Sequence, residues 1–278
     1  MNILLVQNPA KPGAKELASW ICTFLKAKGI HPFAPQSDAH ELKLRPYEQN
    51  SPIDTIISLG GDGSILKIVH EFPELDAPIM GINLGTLGFL ADIGTGAVTN
   101  ALERLLKGDY IVQSRLMLEG KQEGQKPLYA VNEVVAHRGK NHTIVDFALF
   151  VDNRYLNTFS ADGVIIATPS GSTAYSLSAG GPILTPDLDC VVITPICPHA
   201  VSNRSIVLKA TQAIQIKYSS EHDPIEISSD GIMRFCLKQN EPFTISASKK
   251  RFQLITLKEH DYFETLRTKL GWTGSLKP

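Results

Sequence analysis

The stretch Gly60-Gly61-Asp62-Gly63-Ser64 closes an apolar run and leads straight into a helix-like segment. Glycines at a strand end let a ligand approach the backbone closely, and the start of a helix presents free N–H groups to an anion. A carboxylate between such glycines would repel a phosphate that was merely cradled. It makes sense if Asp62 accepts a proton from a hydroxyl attacking that phosphate, or holds a Mg²⁺ that bridges it. The plainer reading is a Gly-Asp-Gly turn with Asp62 as the N-cap. The residues alone leave both open. Neither the G-x-x-x-x-G-K-[ST] loop nor a dinucleotide G-x-G-x-x-G after the first strand is present. Lys67, five residues beyond Asp62, either neutralises phosphate charge or is a solvated helix lysine.

Further motifs carry polar groups into apolar surroundings. "GINLGTLGFL" (81–90) is a second glycine-rich strand end, either a tight connection or part of a ligand crevice beyond the strand ends of an open parallel sheet. "VNEVVAHRG" places Asn132 and Glu133 inside a strand, where neighbours face opposite sides. One of them is therefore directed toward a core or cleft, and ribose hydroxyls would satisfy it; a bulge or sheet end is the alternative. "ADGVIIATPSGSTAYSLSAGGPIL" (161–184) gathers hydroxyl groups in the density that nucleotide or sugar recognition needs. The Gly-x-Ser-x-Gly elbow of a serine hydrolase is absent from it. Cys197 and His199, with Cys190 upstream, lack a zinc spacing and read as a structural loop.

Strands and helices alternate over the first hundred residues. Strands are expected at 2–6, 53–59 and 78–83, and helices at 14–28, 64–72 and 97–107, the pattern of an α/β domain with a Rossmann-like parallel sheet. From about residue 109 short β-rich runs separated by turns predict an all-β, sandwich-like region. "DYFETLRTKLGW" predicts a last helix with Phe263, Leu266 and Leu270 on one face, returning to the first domain. The expected division is 1–108, 109–258 and 259–278. With 278 residues, 43 % hydrophobic content and a net charge of −1, the chain has material for a large core and no field for coating nucleic acid. No apolar run reaches the ~18 residues of a membrane span. The opening MNILLVQNPAKPG has no basic leader region, and four cysteines without Cys-x-x-Cys fit a reduced cytoplasmic setting.

"GGDGS", "GINLGTLGFL", "NEVVAHRG", "DGVIIATPSGSTAYSLSAGGPI" and "ITPICPHAVSNRSIVL", in that order between about Asp54 and Asp230, resemble the NAD kinase family. The resemblance implies phosphorylation of the 2′-hydroxyl of the adenosine ribose of NAD, giving NADP. ATP or polyphosphate would be the donor, with a divalent metal, Mg²⁺ or Mn²⁺, and no fixed protein ligand set for it beyond Asp62. Asp62 would be the proton acceptor, in a phosphate loop of Gly60, Gly61, Gly63 and Ser64. Asp62, Gly63, Lys67, Asn132, Glu133 and Asp162 would contact NAD, together with the turn Thr173, Ala174, Tyr175, Ser176, Leu177 and Ser178. Asp230 matches a late acidic position near the site. Ser64 departs from the family's usual threonine but keeps the hydroxyl. The expected mechanism is direct transfer in a cleft between the two domains, by a homodimer or homotetramer with no nucleic-acid or membrane partner. A Gly-Gly-Asp-Gly loop also occurs in relatives of diacylglycerol kinase and phosphofructokinase, and the 132–133 and 162–178 motifs favour NAD over their substrates.

Overall fold

Apolar runs bounded by turn residues form strands in this chain, and amphipathic stretches between them form helices. The computed structural model describes residues 1–49, 51–140, 143–220, 224–239 and 241–274. The chain begins β1 (Ile3–Gln7), α1 (Ala14–Ala27), β2 (Phe33–Ala34), α2 (Gln36–Leu42), β3 (Arg45–Pro46), β4 (Thr55–Gly60) and α3 (Asp62–Glu71). It continues β5 (Ile79–Asn83), β6 (Ile93–Gly94), α4 (Val98–Lys107) and β7 (Ile111–Arg115). The β-rich stretch runs β8 (Leu118–Lys121), β9 (Leu128–Ala130), β10 (Glu133–His137), β11 (Val145–Val151), β12 (Arg154–Ala161) and β13 (Gly163–Ala167). After α5 (Tyr175–Ser178) come β14 (Cys190–Ile196), β15 (Ile206–Lys209), β16 (Ile214–Ser219), β17 (Ile225–Ser229), β18 (Met233–Leu237) and β19 (Phe243–Ala247). β20 (Phe252–Thr256) and α6 (Tyr262–Leu270) close the described chain. Two units result: Met1–Gln113 with Gln253–Pro278, and Ser114–Phe252.

In the first unit the strand order is β3-β2-β1-β4-β5-β20-β7, with β6 beside β5. β4 and β5 are buried along their whole length, as central strands covered on both faces require. Helix α1 turns Ala14, Ala18, Ile21, Cys22 and Leu25 inward, and leaves Lys28, beyond its last turn, in solvent. The chain runs outward from β1 through β2 to β3, then returns to pair β4 on the other side of β1. That reversal is a topological switch point, where open α/β sheets leave a crevice beyond the C-terminal strand ends. Register puts Gln7 opposite Leu59 and Gly60 opposite Asn83, so the loops after β1, β4 and β5 emerge side by side.

The second unit pairs two six-stranded antiparallel sheets, β15-β14-β13-β10-β17-β18 and β12-β11-β16-β19-β8-β9. Alternate residues of both fill one core, among them Val134, Phe147, Ile166, Ile216 and Phe243. The opposite face of the first sheet is also buried: Val135, Ile165, Ala167 and Val192 form a separate cluster with Leu184. The polar segment 170–184 therefore covers a sheet face and is anchored by it.

The architecture is the expected α/β unit followed by a β-sandwich, with the last helix in the first unit. Two details differ. Residues 252–256, read as part of the β-rich domain, join the parallel sheet next to β5, where Leu254 and Ile255 are fully buried. On α6, Phe263 is 56 % exposed while Thr265 and Leu266 are buried. Tyr262 takes the inward place instead, with its ring 6.1 Å from that of Phe89. Among the described residues no helix is long and apolar enough to cross a membrane.

Candidate active site

At the strand ends of the first unit, the helix dipole and loop glycines that the sequence promised are present, but Asp62 does not cap its own helix. Gly61 is the N-cap and Asp62 is the first helical residue. Its carboxylate reaches across to the loop after β5. Oδ2 accepts the Phe89 N–H (2.9 Å), and Oδ1 accepts those of Leu90 (3.0 Å) and Ala91 (2.9 Å). A carboxylate offers about four acceptor sites, so three amides leave roughly one. The approach is so close that a Cβ on Gly88 would collide with the Asp62 carboxylate.

Two asparagines absent from the sequence reading organise the surrounding loops. Asn83 donates from Nδ2 to the carbonyls of Thr86 (2.8 Å) and Ala91 (3.0 Å), and accepts the Gly85 N–H (2.7 Å). Asn8 donates to Ser64 Oγ (3.1 Å) and accepts the Ala10 N–H (3.1 Å). The only signals for either are its place at a strand end and the turn residues beside it. Gly60 is held by packing, since a Cβ there would meet Ser64. Gly61 and Gly63 face open space, so nothing in the protein around them demands glycine there. Gly61, Asp62, Gly63, Ser64 and Lys67 line one cavity of about 380 Å³, and Lys11 and Lys269 join them from distant parts of the chain.

The second unit repeats the amide clasp. Asp230 Oδ2 accepts the Val131 N–H (2.9 Å), and Oδ1 accepts those of Asn132 (2.8 Å) and Glu133 (3.1 Å). Asp230 sits at φ +50, in the left-handed region, followed by Gly231 at φ +67. This carboxylate builds the turn entering β10. Thr168 closes its other side, donating its N–H to the Asn132 carbonyl (2.8 Å) and its hydroxyl to that of Val131 (2.7 Å). Because Val134 faces the sandwich core, Glu133 shares the face of Val135, under the 170–184 segment. The Tyr175 backbone N–H donates to it, while Oε2 is buried with no partner among the described residues. Burial, and secondarily the Asp230 carboxylate, push the Glu133 carboxyl up to about 8.

The remaining expected contacts divide. Asp162 accepts from Arg138 Nε (2.8 Å), a cation from the "HRG" run that the sequence reading left unused. Partial burial raises the Tyr175 phenol, and Cys197, Asp162 and Glu133 lie close enough to add to that effect. Tyr175 and Ser178 are exposed; Thr173, Ala174 and Leu177 are half-buried. Ser176 is fully buried, with its hydroxyl bonded to that of Thr194 (2.9 Å), and the Thr173 hydroxyl donates to Ser170 (3.2 Å). Both hydroxyls shape the turn. Among the described residues no group of three or more His, Cys, Asp or Glu is gathered to hold a metal ion.

This geometry carries three expectations. Gly88→Ala should lower stability by about 1–3 kcal/mol in urea unfolding, because the added methyl forces the clasp apart. Gly61→Ala meets no clash, since nothing in the protein fills that space, and should cost only the N-cap preference for glycine, about 0.5–1 kcal/mol. Glu133 takes up its proton more readily folded than unfolded. Its contribution is fully present below about pH 4.5 and is lost as pH rises through about 8. Glu133→Gln should therefore gain roughly 2–3 kcal/mol relative to the parent between pH 5.5 and 8.5, read as the change in their unfolding free-energy difference.

Comparison with known proteins agrees along the whole chain. The family model for the ATP-NAD kinase N-terminal domain matches residues 3–110, and that for the ATP-NAD kinase C-terminal domain matches 131–257. The NAD kinase of Protochlamydia amoebophila is 52 % identical over 277 residues, 99 % of each chain. That of Geotalea daltonii is 40 % identical, over 93 % of each chain. Among solved structures, yeast NADH kinase complexed with NADH superposes with a TM-score of 0.91 at 26 % identity, covering 100 % of this chain and 89 % of that one. An NAD kinase from Archaeoglobus fulgidus in complex with ATP gives 0.79 at 26 % identity, covering 99 % and 100 %. With both domain models matched in order and a relative more than half identical end to end, this chain belongs to the NAD kinase family.

Proposed function

We propose that the chain transfers the terminal phosphoryl group of ATP, or of another polyphosphate donor, to the 2′-hydroxyl of the adenosine ribose of NAD, giving NADP. The hydroxyl oxygen forms the new P–O bond, the donor's bridging P–O bond breaks, and the shortened donor leaves with its negative charge. The ribose proton goes to Asp62. One observation carries this role: the amides of residues 89–91 take three acceptor sites of Asp62 and leave about one, beside the open faces of Gly61 and Gly63. A sugar hydroxyl is a weak acid, and a positioned base contributes about 10²–10⁴-fold.

The donor phosphates lie against the start of α3, whose N–H groups and dipole favour anions. Asp62 is the carboxylate lining that cavity. A Mg²⁺ or Mn²⁺ ion arriving on the donor phosphates would be held mainly by phosphate oxygens and water, because the remaining acceptor site of Asp62 takes the ribose proton. The ion would neutralise phosphate charge. NAD is recognised by the second unit. The Asn132 side chain stands at the clasped turn, and Glu133 is largely protonated at neutral pH, so its carboxyl can both donate to and accept from ribose hydroxyls. Asp162 and the 173–178 turn supply the further contacts. Four free cysteines support a reducing, cytoplasmic setting. Exposed apolar residues on the edge strands β12 and β15, Tyr155, Leu156, Ile206 and Val207, support assembly into a homodimer or homotetramer.

Asp62→Asn tests the reading directly. NADP formation from ATP and NAD should fall at least about 100-fold while NAD affinity stays within a few-fold. Asparagine keeps one acceptor oxygen and turns an NH₂ toward a backbone donor, so a stability loss of about 1–3 kcal/mol is expected with the fold intact by circular dichroism. A folded variant with normal turnover would overturn the role of Asp62.

A further inference from the structure

The cavity beside Asp62 is fenced by lysines from three separated stretches: Lys11 after β1, Lys67 on α3 and Lys269 in the last turn of α6. Some surface lysines of the described chain pair with carboxylates, as in Lys15–Glu41 (2.7 Å) and Lys121–Glu119 (2.7 Å). Lys11, Lys67 and Lys269 have no such partner among the described residues. Against three cations the lining holds one carboxylate, Asp62, whose oxygens are engaged by backbone, so the formal balance is 3 − 1 = +2. Like charges gathered in one concavity repel one another and focus a positive field, the arrangement that draws in a polyanion.

The position of Lys269 is built into the fold. The segment entering α6 is fastened to the loop that clasps Asp62, on both sides of the three donating amides. On one side the Tyr262 ring rests near that of Phe89. On the other, His260 Nδ1 lies 3.0 Å from Asp92 Oδ2, with both side chains largely buried. Thr265 and Leu266 seat the middle of the helix, and its last turn brings Lys269 to the cavity. Lys11 is placed by the Asn8 turn, whose carbonyl accepts the Lys11 N–H (3.0 Å), and its Nζ lies near the Gly85 backbone.

We propose that Lys269 and Lys11 bind the phosphate chain of the donor, and that α6 is thereby part of the donor site. The inference rests on the kinase reading and deepens it. A lysine ammonium, a compact charge on a flexible stem, suits phosphate chains of different length. These two residues would set affinity for the donor without touching NAD.

The test measures initial rates and tripolyphosphate affinity for Lys269→Met, Lys11→Met, Lys269→Arg and, as a control outside the cavity, Lys107→Met. Each Met variant at 11 or 269 should raise the KM for ATP about tenfold, leave the KM for NAD within twofold, and weaken tripolyphosphate binding by calorimetry to a similar degree. Lys269→Arg should retain most of the affinity, and Lys107→Met should match the parent. An unchanged KM for ATP in the Met variants, or a shift in the KM for NAD instead, would overturn the proposal. If the parent protein forms no NADP, the kinase reading fails. The tripolyphosphate arm still decides the lysines: equal affinity in parent and Met variants rules them out. A Met variant that loses its fold while Lys269→Arg keeps fold and affinity leaves the arginine comparison and Lys11→Met to decide.

Discussion

One partly buried interaction organises the first unit's strand ends: a single carboxylate holding three consecutive backbone amides of a loop nearly thirty residues away. Hydrogen bonds to a charged group are worth about 1.5–3 kcal/mol each, and three from one peptide stretch fix its path far more tightly than a side-chain pair could. The Asp62 clasp places the start of α3, the 84–91 loop and the open faces of Gly61 and Gly63 in one arrangement. Helix α6 is fastened to the same loop, so the lysine it carries is placed by the same interaction. The Asp230 clasp on residues 131–133 does the corresponding work in the second unit.

The carboxyl groups of the two units sit in different surroundings. Asp62 and Asp230 are surrounded by donors and have few acceptor sites to spare. Glu133, whose own amide is clasped, sits in an apolar face with an oxygen that has no partner among the described residues and a raised pKa. A neutral acid that can donate suits recognition of sugar hydroxyls, and an ionised one with a spare lone pair suits accepting a proton. Burial is what raises the Glu133 carboxyl and lets it stay neutral.

Much of this was legible in the sequence because it is local. The glycine loop, the strand-to-helix junction, the polar pair inside β10 and the hydroxyl-rich run 161–184 are short-range signals, and they locate the polar ends of both units. The Asp62 clasp was not legible, because its partners are backbone N–H groups 27 to 29 residues away and no side-chain type announces them. The same holds for Asn8, Asn83, Lys11 and Lys269, which matter through where the sheet order and α6 deliver them. Strand β20 was assigned to the wrong unit for a related reason: its apolar alternation suits either sheet, and only the returning chain decides between them. Ser176 and Thr173 show a second use of such hydroxyls that the sequence does not announce, since theirs bond within the protein and shape the turn.

The clasp itself is open to direct observation by site-resolved amide hydrogen exchange. Phe89, Leu90 and Ala91 lie in a loop, where exposed amides exchange quickly, yet three bonds to one carboxylate should protect them together. Slow exchange at a common rate is expected for all three, retained when ATP and NAD are bound, because the proposed role of Asp62 needs only its remaining acceptor site. Fast, independent exchange in the free protein, or loss of protection on binding both substrates, would contradict it.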